Sequence, residues 1–154
     1  MTTTEAAPRA ATLAKLATLA TRARQRRLRV VLASIMVGIG ILHFLVPTPF
    51  VRIVPSALPN PLLLVIVSGF FEVAGGVGLL VARVRRAASI GLVLLYLAVF
   101  PANINMAIHP EISAAFGIPL WSLWARLPLQ AVFIAWALWV GRGEAALPSP
   151  PAHP

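Results

Sequence analysis

The side chains able to do chemistry in this chain are few and share one setting. His43, Ser68, Glu72, Asn103, Asn105, Arg126 and Gln130 each stand inside or at the end of a long apolar run. Polar groups in hydrocarbon are costly, so an acid, base or amide kept there is a candidate functional residue by default. At a rise of about 1.5 Å per residue, Glu72 lies about 16 Å from the start of its run at Pro61, near the middle of a bilayer's apolar core. By the same arithmetic His43 is about 5 Å deep, Asn103 about 8 Å, Arg126 about 9 Å and Gln130 about 15 Å, all at the midplane or in the outer half. Ser68 and Glu72 are i, i+4 neighbours, as are Arg126 and Gln130, so each pair projects from one helix face. Asn103 is in phase with Tyr96, which assigns it to the interior and leaves Asn105 at the helix end. Glu72 and Arg126 are the acid and the cation well inside the runs, and pairing them would offset much of the penalty of burying either. Such a pair either locks a bundle without chemistry or, with His43, Ser68, Asn103 and Gln130, lines a pocket that binds a polar headgroup or relays protons.

The elements that must position these residues follow from composition. Of 154 residues 59% are hydrophobic and 11% charged, with a mean hydropathy of +0.88. That is more apolar surface than a water-soluble domain of this size can bury. The expected fold class is an all-α membrane protein, a four-helix transmembrane bundle over 30–141 with spans at about 30–46, 61–82, 87–108 and 120–140. The first run is not expected to be a cleaved secretory signal, because no small-residue cleavage site follows it in I-L-H-F-L-V-P-T-P. The net charge of +9 reads as a topology signal, not as a nucleic-acid footprint. Arg9, Lys15, Arg22, Arg24, Arg26, Arg27 and Arg29 precede the first span, Arg83, Arg85 and Arg86 link the second and third, and Arg142 follows the fourth. Four spans put all of these on one side and leave Arg52 and Arg126 on the other, so both termini are expected in the cytoplasm. The absence of cysteine excludes disulfides, thiol nucleophiles and cysteine-held metal centres.

The segments outside the spans differ in kind. The tail 1–29 is expected to be a basic cytoplasmic anchor, partly helical or disordered, with Leu13, Leu16 and Leu19 at near-helical spacing. The tail 142–154 is proline-rich and expected to be disordered. The first external loop, P-T-P-F-V-R-I-V-P-S-A-L-P-N-P from Pro47 to Pro61, combines prolines that prevent a continuous helix with apolar residues poorly suited to water. It is expected to fold down at the interface or over the bundle as a short lid. Gly38 and Gly40, with Gly69, Gly75, Gly76 and Gly78, are expected to form small-residue faces that let helices approach. Trp121, Trp124, Trp136 and Trp139 fit aromatic belts at the two interfaces.

The strings G-I-L-H-F (Gly40 to Phe44), F-V-R-I-V-P-S-A-L-P-N-P (Phe50 to Pro61), S-G-F-F-E-V-A-G-G-V-G-L-L (Ser68 to Leu80), P-A-N-I-N-M-A (Pro101 to Ala107) and R-L-P-L-Q (Arg126 to Gln130) together resemble the DoxX family of small bacterial four-helix membrane proteins, over about residues 31–140. The resemblance implies a bacterial inner-membrane location and association with oxidoreductase partners, and it carries over His43, Glu72, Asn103, Arg126 and Gln130. The expected function is a non-catalytic membrane subunit or scaffold for an oxidoreductase, with the polar pocket in the outer half of the bundle. The alternative is a small binding or carrier protein for a polar solute, lipid or quinone. No catalytic constellation, metal-ligand spacing or cofactor motif is evident; quinone is left open as a contact, and the expected partners are the bilayer and an oxidoreductase subunit.

Overall fold

The computed structural model describes residues 6–109, 111, 114, 117 and 119–143. Among them are five helices: α1 (Ala6–Leu45), α2 (Pro47–Arg52), α3 (Pro61–Leu80), α4 (Arg85–Ile108) and α5 (Leu120–Gly141). The four long ones are long and apolar enough to cross a membrane. Much of their large apolar surface points outward, including Leu62, Leu63, Phe70, Phe71, Leu94, Leu97 and Val132. An apolar coat of that extent suits hydrocarbon rather than water.

The described part of 1–29 is helical and continuous with the first span, forming the start of α1, which runs unbroken for 40 residues, about 60 Å. No glycine and no proline falls between Arg9 and Val37, and the alanine-rich stretch before Gln25 has high helix propensity. Gln25, Arg29, Leu32, Ala33, Met36, Gly40 and His43 are all buried, a stripe that recurs every three or four residues and faces the other helices. It spans about 27 Å, close to a bilayer's apolar core, and it starts five residues before the expected span at Val30. From Arg9 to Arg24 no residue is buried. Residues 144–154, the larger part of the proline-rich tail, lie outside the described residues, as does most of the link between α4 and α5.

The helices form a ring in which α1 packs on α3, α3 on α4, α4 on α5, and α5 back on α1. Close approach between α1 and α3 depends on glycine. A Cβ on Gly40 would lie 2.7 Å from the Gly69 carbonyl, and one on Gly76 would lie 2.9 Å from the Ala33 carbonyl. Gly75 and Gly78 make room for Leu92 and Ala88 of α4 in the same way. Gly38 does not join this face; it has open space around it, because it lies two residues, about 200° of rotation, from Gly40.

Two apolar clusters fill the ring. Leu32, Ala33, Met36, Leu79, Leu92, Tyr96, Ala137 and Val140 occupy the end where the Arg-rich stretch enters. Met106, Ala107 and Leu123, with Ile53 and Leu127 against them, occupy the other. The proline loop closes this second end. Pro47 starts α2, and the loop returns to α3 through Asn60, whose left-handed backbone (φ 48°) precedes Pro61 at the helix start. Asparagine tolerates that conformation better than most residues, and proline suits the first helical position. Asn105 Nδ2 donates to the Ile53 carbonyl at 3.1 Å, tying the loop down over the bundle.

Candidate functional site

The polar residues gather around the interior between the two clusters. Gly40 and Gly69 bring α1 and α3 close enough for His43 and Glu72 to meet: Glu72 Oε2 lies 3.4 Å from His43 Nδ1, with His43 7% and Glu72 9% exposed. His43 Nδ1 is also 2.9 Å from the Ile39 carbonyl, so an Nδ1–H tautomer donates there, with the carboxylate at its flank. Glu72 Oε2 has no hydrogen-bond partner among the described residues. The Phe50 ring of α2 stacks on the imidazole with centroids 3.8 Å apart and planes 22° from parallel. The lid loop thus roofs the pair with an aromatic ring.

On the opposite wall α4 and α5 share a hydrogen-bonded chain. Asn103 Nδ2 donates to Gln130 Oε1 at 2.7 Å, and Gln130 Nε2 donates to the Tyr96 carbonyl at 2.6 Å. Tyr96 Oη in turn reaches Met36 Sδ of α1 at 3.0 Å. Gln130 thereby ties α5 to the backbone of α4 at Tyr96, five residues before Pro101. Interhelical hydrogen bonds in membranes couple by about 0.6 kcal/mol on average and at most about 1.7. A double-mutant cycle of Asn103→Leu and Gln130→Leu is therefore expected to give a coupling of about 1 kcal/mol in unfolding experiments. A coupling indistinguishable from zero would mean that the two amides do not meet.

The expected pair of Glu72 with Arg126 does not form. Arg126 is exposed and its Nη1 approaches Met106 Sδ at 3.9 Å, while Glu72 faces His43. Counting residues fixes neither azimuth nor depth closely enough to name partners: His43 and Glu72, about 5 and about 16 Å deep by counting, stand side by side. Four residues advance a helix by more than one full turn, and a long arginine side chain can run along apolar surface toward water. Gln130, one turn on, is buried. Ser68 is half-buried and donates back to the Val65 carbonyl of its own helix at 3.0 Å, which gives it no part in the Glu72 contact. The described candidates thus reduce to His43 with Glu72, and Asn103 with Gln130. Beyond the spans, exposed His109 engages Glu111 at 2.9 Å; the Glu111 carboxyl is held below its usual range chiefly by its own backbone N–H and then by His109.

Phe50, Gln25 and Arg29 are structural partners that sequence reasoning passed over. Gln25 Nε2 donates to the Trp139 carbonyl at 2.8 Å, which also accepts the Arg142 backbone N–H at 3.4 Å, and Arg29 Nε donates to the Val140 carbonyl at 3.0 Å, at the end of α5 where the helix's own donors run out. Arg85 Nε does the same for the Leu79 carbonyl of α3 at 3.1 Å. The signal for Gln25 and Arg29 was their phase with Leu32 and Met36.

Residues 32–141 match the family model described as a domain of unknown function, DUF8561, and the chain belongs to that family. No curated protein and no solved structure matches it. The matched residues contain every side chain of the two polar groups and leave out the whole Arg-rich stretch, which ends at Arg29.

Proposed function

We propose that this DUF8561 protein is a DoxX-like, multi-pass protein of a bacterial inner membrane that serves as a non-catalytic subunit or scaffold for an oxidoreductase. Its own contribution is the buried pair of His43 and Glu72. The observation that carries this reading is the carboxylate oxygen of Glu72, held at mid-bundle beside an imidazole and lacking a hydrogen-bond partner among the described residues. An acid and a base so placed can hydrogen-bond an incoming polar group or hand a proton along. The distribution of arginine supports cytoplasmic termini, since Arg24 to Arg29, Arg83 to Arg86 and Arg142 gather at one end of the bundle.

The Phe50 roof favours a second reading within the same site. A flat aromatic ring stacked on His43 occupies a position that a quinone ring can take when the loop lifts, with the imidazole and Glu72 as hydrogen-bonding partners for its oxygens. The protein would then be a quinone-binding subunit or carrier.

Native mass spectrometry of the protein extracted gently from its own membrane tests both readings. A stoichiometric second polypeptide, retained in Glu72→Gln while the complex loses its electron-transfer rate, is the expected result for the subunit. The protein alone with a bound quinone that Glu72→Gln releases favours the carrier. A Glu72→Gln complex with the native rate and the native set of bound molecules would remove Glu72 from the function.

A further inference from the structure

At the Arg-rich end of the bundle, α1 and α5 leave a groove of about 530 Å³ open to the outside, lined by Arg24, Leu28, Val132, Ala135, Trp136 and Trp139. The groove is amphiphilic along its length. Gln25 meets the carbonyls of Trp139 and Arg142, so its neighbour Arg24 stands level with the last turn of α5, at the mouth of the groove. Val132, Ala135, Trp136 and Trp139 follow at helical spacing and extend about 10 Å from that mouth toward the bilayer centre. Arg24 is exposed and makes no hydrogen bond or ion pair among the described residues. The Trp136 ring joins this wall as apolar surface, with its Nε1 buried away from the open space of the groove. It lies about one helical turn deeper than Trp139.

We propose that this groove holds an anionic glycerophospholipid of the leaflet at which the Arg-rich stretch emerges, with the headgroup phosphate on Arg24 and one acyl chain along Leu28, Val132 and Trp136. The order of chemistry along the groove is that of the lipid. A cation at the mouth meets the phosphate, and the apolar walls, the Trp136 and Trp139 rings among them, receive the chain. Charge favours an anionic lipid, because Arg26 and Arg27 lie within one turn of Arg24 and the acids of the described chain, Glu72 and Glu111, belong to the interior and to the other end of the bundle. A second copy of the chain suits the groove less well, since its arginine-bearing stretch would bring like charges together. This site is independent of His43 and Glu72.

The test compares the detergent-solubilised full chain with its variants by native mass spectrometry in the presence of phosphatidylglycerol or phosphatidylcholine. A basic residue near an anionic surface contributes about a fivefold preference. Arg24→Gln is expected to reduce the preference for phosphatidylglycerol over phosphatidylcholine about fivefold. Arg26→Gln, on the same exposed stretch but not in the groove, is expected to change it much less. Trp136→Phe, which reduces the apolar wall of the groove, is expected to lower the retention of both lipids alike while leaving their ratio intact, which a general attraction to basic charge would not produce. The proposal is overturned if Arg26→Gln matches Arg24→Gln, if Trp136→Phe retains both lipids as the native chain does, or if the groove is covered in a lipid-free dimer. Arg24 is exposed and bonded to nothing described, so its loss leaves the bundle intact; circular dichroism of Arg24→Gln checks this.

Discussion

Gly69→Ala is expected to lower the thermal unfolding midpoint of the detergent-solubilised protein by about 5 °C or more, a result of overpacking. The substitution adds one methyl group. Its Cβ would sit 2.6 Å from His43 Cβ and 3.0 Å from the Gly40 carbonyl oxygen, and neither neighbour is the free end of a flexible side chain. Relief requires α1 and α3 to separate along the contact that positions His43 against Glu72. Inserting volume into a packed core costs about 1–3 kcal/mol, and in a chain of this size each kcal/mol moves the midpoint by about 2–4 °C. Gly91→Ala is the matched control, because Gly91 has nothing within 4 Å of its Cβ position and alanine is the better helix former. Equal midpoints for Gly69→Ala and the native chain would show that α1 and α3 do not pack through Gly69.

The same contact explains what could be read from the sequence and what could not. Four apolar runs, their approximate ends and the residues held inside them follow from composition and length, because the bilayer imposes one length on every span. The partner of Glu72 does not follow. Glu72 and Arg126 were matched by charge and depth, whereas the fold matches Glu72 to His43 through the closest helix approach, set by Gly40 and Gly69. Gly38 and Gly40 look alike in a string but stand about 200° apart around the helix. Phe50 was visible as an apolar residue in a proline-rich loop, yet its seat on His43 depends on how α2 folds back. Gln25 and Arg29 were hidden for another reason. A run of arginines before a span reads as a topology signal, and that signal masks a single arginine that belongs to the core.

Arg29 supplies the second large effect. Arg29→Met is expected to lower the unfolding midpoint by about 4–10 °C, with Arg26→Met changing it by no more than about 1 °C. Both substitutions remove one positive charge from the same stretch, so a role confined to topology would make them equivalent. They differ in place: Arg29 is 4% exposed and donates to the Val140 carbonyl at 3.0 Å, whereas Arg26 is exposed. A hydrogen bond from a charged group is worth about 1.5–3 kcal/mol, and removing the donor also leaves a buried carbonyl unsatisfied. The site is moreover at a helix C-terminus, where a cation is favoured. Gln25→Leu removes the neighbouring bond to Trp139 and is expected to cost about 1 kcal/mol alone. Since both side chains hold the same end of α5, the double variant is expected to fall short of the sum. Additive losses would mean that each residue anchors a separate piece of the bundle, and a native midpoint for Arg29→Met would mean that α5 is held at this end by its apolar contacts alone.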